Sequence, residues 1–145
     1  MMRHILSFLF VFVSLAAFAQ KADMIVGHYI SPKKDGILQI YKAGAKYNGR
    51  LLWTRTIGKT DENNPDPAKR KALLKGSDIM KDFVFDGEDT WENGTIYDPN
   101  NGKTYSCEIT RMANGDLNVR GYIGISLLGR TEVFVKTGSD VRSLK

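Results

Sequence analysis

The chain has 145 residues, of which 42% are apolar and 26% charged, with a formal net charge of +5. That length suits one domain around a single core, and a modest basic surplus interspersed with acids argues against nucleic acid as a partner. One cysteine excludes an internal disulfide, so the fold must stand on packing alone.

The first segment carries the address. Arg3 precedes an almost uninterrupted apolar run from Ile5 to Phe18, and Ala17-Phe18-Ala19 is a small-x-small cleavage signal before Gln20. This is the pattern of a secretory signal peptide over 1–19, shorter than a membrane-spanning anchor needs. Its removal after Ala19 would leave 126 of the 145 residues and a formal charge of +4. Export to the periplasm or the extracellular space is expected. No second apolar run of spanning length follows, and no cysteine stands at the new N-terminus for a lipid anchor.

Strands then come in succession. Met24–Ile30 is the first, closed by Ser31-Pro32 and the polar turn Lys33–Gly36. Ile37–Tyr41 is the second, and Ala43-Gly44-Ala45 turns the chain into a third over Lys46–Arg55. Gly49 inside that strand predicts a bulge or sharp bend. From Thr56 to Gly76 the alternation fails: prolines 65 and 67 among Asx residues cannot belong to an inner strand. Asp66 can cap a short helix with Pro67 in its first position, so the segment reads as a long loop containing a helical turn or two. Connections of this length are usually functional or mobile.

The second half repeats a hairpin plan. Ile79–Phe85, Trp91–Tyr97, Lys103–Thr110, Leu117–Ile123 and Arg130–Lys136 are strands. Asp86–Asp89, Asp98–Gly102, Ala113–Asp116 and Gly124–Gly129 connect them. On Lys103–Thr110, Tyr105, Cys107 and Ile109 share the apolar face. Eight short strands with frequent Gly or Asn turns suit an antiparallel barrel or sandwich, and a closed up-and-down barrel leaves no edges. The expected organisation is a leader over 1–19, one barrel domain over 20–137 and a polar tail over 138–145.

Two ends of this pattern resemble the lipocalins and their calycin relatives. Gly27-His28-Tyr29 is similar to their Gly-x-Trp signature, with tyrosine for tryptophan. By that resemblance, Gly27, Tyr29 and Arg130 would close the barrel, the Arg130 guanidinium lying over the aromatic as a cation–π contact. A second resemblance covers nearly the whole region after the leader. Gly49-Arg50-Leu51-Leu52-Trp53, Asp61–Arg70, Leu73–Gly76, Trp91–Gly94, Ile96–Pro99, Gly102–Tyr105, Leu117–Gly124 and Leu128–Thr131, in that order, resemble the secreted bacterial family called domain of unknown function 2147. That resemblance implies an exported lipocalin-like barrel and no established activity. The chain departs from the family pattern at Tyr29 and Phe134, where tryptophan is commoner.

No catalytic constellation emerges. Beyond the leader the chain has one histidine, His28, and one cysteine, Cys107. Alternation turns His28 outward if Tyr29 points in, and Cys107 reads as a small buried hydrophobe. Zinc lacks ligands, and prolines at 65 and 67 replace the glycine turn of calcium loops, so neither metal nor cofactor is expected. Asp86, Glu88 and Asp89 sit in a turn, where carboxylates stay solvated.

The reading that remains is a non-catalytic protein that binds a small apolar or amphipathic ligand. Strand alternation nominates Tyr29, Ile40, Trp53, Phe83, Phe85, Trp91, Tyr105, Tyr122 and Phe134 as barrel lining, although a small barrel can equally fill itself with such side chains. The alternative is an envelope interaction module acting through the 56–76 loop, with Asp61, Asn63, Asn64, Asp66, Lys69 and Arg70 as the contact residues. Charged residues recur on both faces of several strands, which disfavours a barrel embedded in a membrane.

Overall fold

Alternation of apolar and polar residues closes on itself in three dimensions. A computed structural model describes residues 2–138; the expected tail beyond Gly138 lies outside the described residues. Helix α1 (Met2–Ala22) and a 3₁₀ turn (Asp23–Ile25) precede strands β1 (Gly27–Ile30), β2 (Gly36–Ala43), β3 (Lys46–Thr54) and β4 (Asp78–Phe85). Strands β5 (Thr90–Asp98), β6 (Lys103–Arg111), β7 (Leu117–Tyr122) and β8 (Arg130–Thr137) complete the chain. All eight are antiparallel to their neighbours in chain order, and β1 pairs with β8, so the sheet is a closed up-and-down barrel. Met24 to Val26, expected as strand, form instead the 3₁₀ turn and its C-cap, with Val26 N donating to Asp23 O. Their apolar composition suits either state, and only the tertiary setting decides.

Odd-numbered connections lie at one end and even-numbered ones at the other. The 31–35, 55–77, 99–102 and 123–129 connections form the mouth; 44–45, 86–89 and 112–116 form the base. Gly49 sits at the expected irregularity, where the β3–β4 register shifts on both sides of it. A Cβ there would stand 2.9 Å from Met80 Cβ, so the glycine also permits close approach of the two strands.

The base half is packed solid. Tyr29, Phe83 and Trp91 are at most 1% exposed, and Phe85, Ile40, Cys107, Ile109 and Leu117 surround them. Complete burial of each large apolar side chain contributes about 1.5–3 kcal/mol. The segment after α1 supplies the floor. Trp91 Nε1 donates to Ala22 O at 3.1 Å, Tyr29 OH donates to Ile25 O at 2.7 Å, and Tyr47 OH donates to Asp23 Oδ1. Each polar tip of a buried aromatic thus meets a partner on that segment, which avoids the cost of an unsatisfied buried donor.

Gly94 marks the tightest contact in this core, since a Cβ there would lie 2.5 Å from the Phe83 ring. Gly94→Ala is expected to destabilise the fold by about 1–3 kcal/mol through overpacking, read as a lower urea midpoint.

Burial also pushes the Cys107 thiol up from 9.0 to about 12, with the nearby Glu108 charge adding to the rise. Burial likewise raises the Tyr29 hydroxyl from 10.0 to about 12, Arg111 opposing it and Asp116 reinforcing it. Both groups bind protons more tightly folded than unfolded, so their contribution is complete below pH 9 and is lost as pH rises to about 12. Urea stability should therefore fall across that window, and Cys107→Ala should remove the earliest part of the fall. The native thiol should react with thiol reagents only at the rate of unfolding; rapid labelling of the folded protein would contradict its burial.

Candidate functional site

The mouth half differs from the base. Smaller aliphatic side chains replace the large aromatics there, and a cavity of about 460 Å³ opens between them. Its wall is Leu38, Leu51, Ile79, Ile96 and Val119 from the strands, Leu74 from the long loop, and Phe134 as floor. Tyr97 and Tyr105 also line it. The rim is polar: Ser31, Lys33, Asp35, Lys59, Asp98, Arg130 and Glu132 stand around the opening, with Arg130 and Glu132 paired at 3.1 Å. An apolar well with few polar groups at its lip is the usual chemistry of a small-ligand pocket.

The long loop is built to form part of this wall. Pro67–Lys69 make a single 3₁₀ turn capped by Asp66, whose carboxylate accepts from Ala68 N at 3.0 Å. Asp61 is buried and accepts from Tyr97 OH at 2.6 Å and from Asn64 Nδ2 at 2.7 Å. Asn63 Nδ2 donates to the carbonyls of Pro99 and Asn100 in the β5–β6 turn. Gly102, at φ 71°, lies so close to Asn63 that a Cβ would stand 2.0 Å from its carbonyl oxygen. The Asx residues therefore fasten the loop to the neighbouring hairpin, and Leu74 is carried into the barrel at 2% exposure. Of the six loop residues nominated as partner contacts, Asp61, Asn63, Asn64 and Asp66 hold the loop itself together. Arg70 Nε also bonds Asn64 O, although Arg70 and Lys69 remain exposed.

The nominated barrel residues divide by height. Tyr105 and Phe134 line the cavity, and Tyr105 OH accepts from Asn101 Nδ2 at 2.8 Å. Tyr29, Ile40, Phe83, Phe85 and Trp91 point inward but fill the base, below the cavity. Tyr122 stands off the cavity wall: on β7 the inward places belong to Leu117, Val119 and Gly121, and Tyr122 pairs with the exposed Ser106. Trp53 is half-buried beside Ile37, where the β2–β3 register shifts, and does not line the cavity. Leu38, Leu51, Leu74, Ile79, Ile96, Tyr97 and Val119 were not singled out by sequence reasoning. Leu38 and Val119 were within reach of it, as alternation partners of Ile40 and Leu117.

The expected clasp of Arg130 over Tyr29 does not form. Arg130 opens β8 at the mouth with an 84% exposed side chain, whereas Tyr29 pairs with Lys136 near the other end of the strand. Six residues of strand separate the two positions, about 20 Å. Gly27 and Tyr29 do take part in closure, β1 pairing with β2 from Gly27 and with β8 from His28. A cation–π contact among the described residues is Arg50 over Tyr41 on the outer wall, 4.8 Å from the ring centroid, with both side chains bonded to Asp78.

Among solved structures, the fold is similar to that of protein HP1028 from the human pathogen Helicobacter pylori, which is described as belonging to the lipocalin family. The two agree with a TM-score of 0.74 at 21% identity, over 83% of this chain and 88% of that one. No protein with a curated description matches the sequence. A family model described as "Uncharacterized protein conserved in bacteria (DUF2147)" matches residues 27–136, from the first residue of β1 to the penultimate residue of β8. The match spans the whole barrel, and the chain belongs to that bacterial family.

Proposed function

We propose that this protein is an exported, non-catalytic carrier of a small apolar or amphipathic molecule held in the mouth half of the barrel. The observation that carries this reading is the cavity of about 460 Å³, apolar at its floor and polar at its lip. That volume accommodates a single small molecule, and the lip would keep a headgroup or carboxylate in contact with water while the tail meets Leu38, Leu51, Ile79, Val119 and Phe134. The lipocalin-like fold gives the same expectation, since barrels of eight strands can enclose one small ligand. Export rests on the leader pattern, and the floor is compatible with cleavage. Ala22 and Ile25, which accept from Trp91 and Tyr29, both follow Ala19.

An interaction module acting through the 56–76 loop is the weaker reading, because most of the loop's polar side chains bond within the protein.

The test is native mass spectrometry of the protein recovered from its own export pathway, followed by solvent extraction. A bound mass that leaves on denaturation is expected. Val119→Trp, which fills the cavity from one wall, should abolish that mass and weaken displacement of an apolar fluorophore at least about tenfold. A bare mass, together with fluorophore binding unchanged by Val119→Trp, would overturn the carrier reading.

A further inference from the structure

The connections at the two ends of the barrel differ in charge and in exposed apolar surface. The mouth connections 31–35, 55–77, 99–102 and 123–129 contain eight lysine or arginine residues against four acidic ones. The base connections 44–45, 86–89 and 112–116 contain four acidic residues and no basic one. The mouth connections thus carry a basic surplus that the base connections lack.

The same positive end holds an exposed apolar loop. Ile123, Ile125, Leu127 and Leu128, all in the β7–β8 connection, are 70%, 59%, 86% and 78% exposed. This loop is fixed in place. Arg120 Nε donates to Ser126 O at 2.7 Å, its Nη2 donates to Leu127 O, and Ser126 Oγ bonds Glu108 Oε1 at 2.9 Å. A guanidinium and a carboxylate on the outer wall therefore hold a backbone that presents four large aliphatic side chains to solvent. Ile57, 96% exposed, lies on another mouth connection. Apolar surface held out in this way, on the same end as a basic surplus, matches the two requirements of interfacial membrane binding: buried apolar area and attraction to anionic headgroups.

We propose that the mouth end docks onto an anionic lipid bilayer, with Ile123, Ile125, Leu127 and Leu128 entering the interface and the basic residues of the 31–35 and 55–77 connections facing the headgroups. The cavity then opens toward the lipid. Docking is a property of the rim and does not require the cavity to be occupied, so it stands apart from the carrier reading. Of the other ways to cover such a patch, pairing of two copies through this end would bring two net-basic sets of connections together, which the charge disfavours.

The buried Cys107 allows a site-specific test. An environment-sensitive fluorophore is attached at Leu127→Cys at the mouth, or at Glu88→Cys at the base, in the protein recovered from its export pathway. Vesicles of phosphatidylcholine, with or without phosphatidylglycerol, are then added. A blue shift at the mouth site alone, and only with phosphatidylglycerol, is expected. Salt at about 1 M, where the Debye length falls to about 3 Å, should weaken vesicle binding at least tenfold. The pair Leu127→Ser with Leu128→Ser should weaken it at least about tenfold while leaving the urea midpoint unchanged. Val119→Trp should bind vesicles as the parent does, which separates failure of docking from failure of the carrier reading. Three outcomes would overturn the proposal: no shift at the mouth site, an equal or larger shift at the base site, or light scattering that shows the serine pair dissociating a dimer without changing vesicle binding.

Discussion

The floor of the barrel is set by the hydrogen bond from Trp91 to the carbonyl of Ala22, with those from Tyr29 and Tyr47 beside it. A barrel of eight strands has too wide a bore for backbone alone to close its end. Here the closure is made by a short irregular segment whose backbone carbonyls accept from the indole and from Tyr29. Because those donors are satisfied, Tyr29 and Trp91 are buried with Phe83 in one core without a polar penalty. Their bulk fills the lower half and leaves the upper half to smaller residues. The cavity is thus the complement of the plug: the aromatic volume spent below is the volume left open above.

That division explains which parts of the molecule were legible in its sequence. Strand number and turn positions follow from a period of two and from Gly, Asn and Pro, and these signals do not depend on height in the barrel. Height itself leaves no local trace. Phe83 and Phe134 read alike as inward aromatics, yet one lies in the plug and the other forms the cavity floor. Tyr122 was misplaced because Gly121 takes the inward position, and a glycine contributes nothing to an apolar pattern. Arg130 was misplaced by a short motif, although the register of antiparallel strands already sets the start of the last strand far from Tyr29.

The long loop shows a different limit. Its Asx and proline content marked it as special, and Asp66 capping the turn at Pro67 was readable from local chemistry. What could not be read was that Asp61 and Asn63 reach the β5–β6 hairpin, some three dozen positions away in sequence. Such pairings need the strands in place before they can be seen. The same side chains, read one residue at a time, look like an invitation to a partner. Read together they are a brace that carries Leu74 into the barrel wall.

The pairing of β1 with β8 has a consequence for the history of the molecule. Residues 28–30 bond residues 135–137, so the ring joins its two ends last in sequence and can close only when the final strand is available. Such non-local closure is slow compared with the pairing of neighbouring hairpins. A chain emerging during synthesis would therefore remain an open ribbon of hairpins until its last strand was available. No disulfide is needed to lock it afterwards, because the sole thiol is already part of the packed interior. Maturation would then be governed by chain length and pairing order, and would proceed alike in oxidising and reducing surroundings.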